Sequence, residues 1–105
     1  KNPMVGKTLP LSHELFDFAE TIFDVLESRQ VTLSKKGEDK GVRLSFEGFP
    51  YLIVWGKPEG DFVAVEPWGG LSTCSDEDDV LEHKRGCLVA KPKETVVRSF
   101  TIKIL

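Results

Sequence analysis

A chain of 105 residues with 40% hydrophobic and 30% charged side chains has the composition of a water-soluble globular protein, which argues against a disordered tract or a fibrous repeat. Lys and Arg together number 14 against 17 Asp and Glu, and no basic stripe offers a phosphate backbone its counter-charge, so nucleic acid is not an expected partner. The longest apolar run, residues 51–55, falls far short of the roughly 20 residues of a membrane-spanning helix, and no secretory h-region is visible, so no membrane partner is expected.

The opening, KNPMVGKTLP, is polar and punctuated by proline, and it reads as a connecting loop. Met4 lies inside it, which reads as a cut or processed N-terminus, whereas the patterned strand ending at Leu105 reads as a true C-terminus. Ser12 can cap one helical turn over Leu11-Ser-His-Glu-Leu-Phe16, with Glu14 well placed in its first turn.

From Glu20 the apolar period changes to two. Segments 21–26, 30–35 and 42–47 are rich in Val, Ile, Thr and Phe, and the polar stretch 36–41 between the last two predicts a hairpin loop. In the third segment Val42, Leu44 and Phe46 alternate with Arg43, Ser45 and Glu47, which predicts one buried and one wet face. Residues 51–55, Tyr-Leu-Ile-Val-Trp, form a continuous apolar run and predict a core strand buried on both faces. The turn Gly56-Lys-Pro-Glu-Gly60 then reverses the chain into a strand over 61–66. Pro67-Trp-Gly-Gly70 reads as a rigid turn, and the acidic stretch 75–79 as an exposed loop. Segments 87–90 and 95–105 predict a closing strand pair. In the second of them Val96, Arg98, Phe100, Ile102 and Ile104 share one face. Strands joined by turns, with no long helix between them, predict an all-β antiparallel β-sandwich or barrel.

Cys74 and Cys87 lack the spacing of a metal knuckle, and His13 and His83 are too few as companions for a zinc site. They read as unpaired thiols in a reducing cytoplasm, with a disulfide left open should the loop fold back.

Glu66 stands out because it ends the apolar segment 62–65 and precedes the rigid turn. Alternation gives it the face of Phe62 and Ala64. Were that face to line a pocket, burial beside Trp68 would suit the carboxylate to general-base work. On spacing alone, a solvated carboxylate at a strand end is the simpler reading.

The run FPYLIVWGKPEGDFVAVEPWGG (49–70) and the turn LPLSHELF (9–16) resemble the C-terminal third of the aldose 1-epimerase, or galactose mutarotase-like, superfamily. The likeness is strongest to its LacX-like branch and covers essentially the whole chain. It implies the C-terminal part of a larger β-supersandwich, a single domain whose two large sheets are shared with an N-terminal part absent from residues 1–105. It implies an isomerase that interconverts the α and β anomers of an aldohexose, with neither metal nor organic cofactor. In such enzymes a glutamate at the position of Glu66 takes the proton of the anomeric hydroxyl while a histidine protonates the ring oxygen. The ring opens, a bond rotates, and the reverse transfers close either anomer. The acid histidine belongs to the upstream part. His13 and His83 read as structural and as solvated, respectively.

The resemblance also makes Glu20, ahead of Thr-Ile-Phe23, a sugar-hydroxyl ligand with Asp17 as its fallback, and it makes Trp68 a stacking platform for a sugar face. Trp55, inside the apolar run, reads as core. Two alternatives stay open. A hexose-6-phosphate 1-epimerase would need a phosphate grip from Lys84, Arg85 or Arg98. A carbohydrate-binding sandwich without catalysis would need no acid histidine.

Overall fold

The computed structural model describes residues 4–17, 20–71 and 78–105. The expected cap forms: Ser12 Oγ accepts the Leu15 N–H at 3.3 Å and opens a 3₁₀ turn over His13–Phe16. Six strands follow among the described residues, β1 Thr21–Phe23, β2 Gln30–Ser34, β3 Gly41–Ser45, β4 Tyr51–Trp55, β5 Ala64–Trp68 and β6 Thr101–Ile104.

They form two antiparallel three-stranded sheets, ordered β1-β4-β5 and β2-β3-β6. The fold is all-β and sandwich-like, as the alternation predicts. Register decides which residues meet between the sheets. Leu52 of β4 stands opposite Phe23 and Pro67, while Leu44 of β3 stands opposite Val31 and Ile102. Leu44, Phe46 and Leu52 form the buried centre, with Phe23, Leu26, Val31, Phe49 and Val65 packed around it. Arg29 ties the bend after β1 to this core. Its guanidinium lies 5.2 Å from the Phe46 ring centroid and donates to the carbonyls of Leu26 and Phe49.

Several boundaries differ from the sequence reading. β1 stops at Phe23 instead of 26, because the chain turns there to bring Arg29 against Phe46. β4 is buried through Val54, as expected of a central strand, but Trp55 leaves the core. It is 37% exposed and meets Phe62 edge to face, with centroids 5.6 Å apart. The return strand is shifted to Ala64–Trp68, so Pro67 and Trp68 are strand residues and Phe62 belongs to the loop. Proline is tolerated there because β5 is an edge strand, where an N–H can be spared.

The closing pair 87–90 with 95–105 does not form. Only Thr101–Ile104 is a strand, and its partner is β3. Residues 87–90 carry Leu88 and Val89 in solvent instead.

Candidate functional site

Pleating puts alternate residues of β5 on opposite faces. Val65 turns to the core, which leaves Ala64, Glu66 and Trp68 together on the other face of the sheet. The Trp68 indole N–H donates to Glu66 Oε2 at 2.9 Å, and both side chains are half-buried. That bond fixes one carboxylate oxygen and leaves Oε1 out of the pairing. The two residues therefore meet as the sequence reading expects, but on a strand rather than across a strand end and a turn.

The floor beneath them is apolar. Register sets Glu66 beside Ile53 and Trp68 beside Tyr51, and Ile53 in turn beside Ile22 of β1. Ile53 and Tyr51 are buried. Tyr51 is covered in part by Gly86, whose φ of +72° is a left-handed value. A Cβ at that position would collide with the tyrosine ring and come within 3.0 Å of the Gly69 carbonyl.

Glu20 and Asp17 are placed differently. Both are exposed, Glu20 just ahead of β1 and Asp17 at the C-cap of the 3₁₀ turn. Because β1 and β5 flank β4 on opposite sides, Glu20 lies two strand spacings, roughly 10 Å, across the sheet from β5 and two residues out of register with Glu66.

Each histidine has an aspartate of its own. His13 Nε2 lies 3.0 Å from Asp61 Oδ1, and His83 Nδ1 lies 2.7 Å from Asp78 Oδ2. The bond to His83, joined by one from the Val80 N–H, holds the Asp78 carboxyl below its ordinary range. The first pair is not legible in the sequence, since 48 residues separate His13 from Asp61. Cys87 is a free, half-buried thiol, while Cys74 lies outside the described residues, as does most of the acidic stretch 75–79.

Two surface clefts open elsewhere. One holds Leu11, His13, Phe16, Asp61 and Phe62, and the other Arg29, Phe49, Cys87, Leu88 and Arg98. Neither draws on Glu66 or Trp68. Among the described residues no helix is long and apolar enough to cross a membrane.

The chain is 40% identical over 100 residues to two proteins of Lactococcus lactis subsp. lactis, Protein LacX, plasmid, and Protein LacX, chromosomal. The match takes in 94% of this chain but 33% of each relative, so the chain spans about a third of the length of the curated proteins it matches. No family model matches, and no solved structure does.

Proposed function

We propose that this relative of the LacX proteins serves carbohydrate metabolism and carries the base half of an aldose 1-epimerase centre, in which Glu66 takes the proton of the anomeric hydroxyl. The observation that carries this reading is the Glu66–Trp68 pair: a half-buried carboxylate held by an indole N–H over an apolar floor. A carboxylate fixed in this way is oriented for proton transfer, and an adjacent indole suits the C–H face of a pyranose. Glu20 reaches the same substrate only from the opposite edge of the sheet. An acid partner is expected in the upstream part that the resemblance implies, since neither His13 nor His83 bonds to Glu66.

The lack of a histidine bonded to Glu66 among the described residues also favours a second reading, a carbohydrate-binding sandwich that does no chemistry. The two separate by NMR exchange between the anomers of an aldohexose, measured on the complete protein. Catalysis requires exchange above the uncatalysed rate, and Glu66→Gln should lower it by about 10²- to 10⁴-fold, the usual contribution of a general base. Saturable sugar binding without exchange leaves the binding module. Full exchange in the Glu66→Gln protein removes Glu66 from the mechanism.

A further inference from the structure

Tyr51 stands on the same face of the sheet as Glu66. Pairing of β4 with β5 sets it opposite Trp68, and directly opposed residues project to one side, so Tyr51, Ile53, Glu66 and Trp68 share a surface. On it Tyr51 and Glu66 are diagonal neighbours, roughly 7–8 Å apart.

The ring of Tyr51 is held in place. The residue is 8% exposed, and Gly86 lies so close over it that a Cβ at that position would strike the ring. The hydroxyl is not held. A buried tyrosine hydroxyl ordinarily finds a hydrogen-bond partner, because one left bare forfeits the bonds it made in water. Among the described residues Tyr51 has none, whereas Trp68 and Glu66 beside it are bonded to each other. A fixed ring with its one polar atom unused, next to an oriented carboxylate, has the character of a substrate contact.

We propose that the Tyr51 hydroxyl binds the sugar, through a hydrogen bond to the C3 or C4 hydroxyl of an aldohexose whose anomeric hydroxyl lies on Glu66. This rests on the reading of Glu66 and Trp68 as a sugar site. The diagonal separation suits it: a pyranose anchored to Glu66 and stacked on Trp68 turns toward Tyr51 the hydroxyls on the side of its ring away from the anomeric carbon. A phenol both donates and accepts. Tyr51 therefore sets which hydroxyls the site requires and takes no part in proton transfer at the anomeric centre.

The test is Tyr51→Phe in the complete protein, followed by NMR anomer exchange of glucose, galactose, 3-deoxyglucose and 4-deoxyglucose. KM for the parent sugars should rise about 3- to 10-fold with kcat unchanged, as for one neutral hydrogen bond made equally in ground and transition states. The unmutated protein should lose the same factor on one of the deoxy sugars, and on that sugar the two proteins should be equal. The thermal midpoint of the sugar-free variant should not fall, since no partner is lost with the hydroxyl. If the complete protein binds without exchange, dissociation constants give the same comparison. A lowered midpoint, an unchanged KM on both parent sugars, or an equal loss on every deoxy sugar makes the hydroxyl structural and overturns the proposal. Glu66→Gln, run in parallel, keeps the two claims apart: full exchange there removes Glu66 from the mechanism and leaves the Tyr51 comparison readable. A complete protein that neither exchanges nor binds these sugars overturns both.

Discussion

Trp68 shows how much one side chain does at the site, since it stands beside Tyr51 across the β4–β5 pair and also supplies the N–H that orients Glu66. Trp68→Phe separates the two roles by keeping a ring and deleting the donor. Hydrogen bonds to charged groups contribute about 1.5–3 kcal/mol when buried, and solvent around this half-buried pair lowers that to about 1 kcal/mol. Denaturant unfolding should read that loss, and under the proposed epimerase activity anomer exchange by the complete protein should fall with it. Asp78 offers a pH test of a different kind. Its folded carboxyl titrates below the ordinary value of 3.8, chiefly because of the His83 bond. A depressed folded value means that the stabilisation is fully present above the unfolded value and is lost as pH falls through the folded one. The turn at Leu81–His83 should therefore keep its Asp78–His83 contact at pH 5 and release it in stronger acid. NMR titration of Asp78, with Asp78→Asn as the reference, checks this. The carboxylate of Glu66 was legible from its neighbours in sequence. The Asp61 partner of His13 was not, because only the folded chain brings them together.

At the scale of elements, β4 is the strand on which both faces depend. Leu52 is 1% exposed between the sheets, and Leu52→Ala should cost about 2–5 kcal/mol through lost burial and the cavity left behind, measurable as a lowered denaturation midpoint. The other face of β4 depends on Gly86. Gly86→Ala combines a left-handed backbone with a clash on Tyr51, and it should cost about 1–3 kcal/mol while raising the exposure of the tyrosine to solvent. Tyrosine fluorescence quenching follows that exposure. The strands β2, β3 and β4 were readable because alternation or continuous apolarity survives in their final setting. β5 was misplaced by two residues at its end because proline normally signals a turn, and only the sheet order reveals that it sits on an edge. The end of the chain erred in the other direction. Its alternation is genuine over residues 96–104, but a strand also requires a neighbour, and β3 supplies one only from Thr101 onward.

For the molecule as a whole, dimensions carry the argument. A compact domain of 105 residues has a radius of gyration of about 13 Å, and this chain has 15.8 Å with extents of 49 × 31 × 26 Å. Sequence patterning could identify the sheets but not this openness, because alternation says which residues want burial and not whether anything is there to bury them. Openness has a calorimetric signature. The heat capacity of unfolding tracks the apolar surface newly exposed, and a fully packed domain of this length shows an increment of about 1.3–1.6 kcal/mol per kelvin. With Ile102, Ile104, Val97 and Phe100 already in water, less surface remains to be exposed. The chain on its own should therefore unfold with a heat-capacity increment clearly below that range and with a denaturant slope reduced in proportion. Calorimetry that returns an increment within the range, with a sharp transition at the monomer mass, would show that the chain buries as much as a self-sufficient domain. The exposed apolar face of β6 would then need no covering.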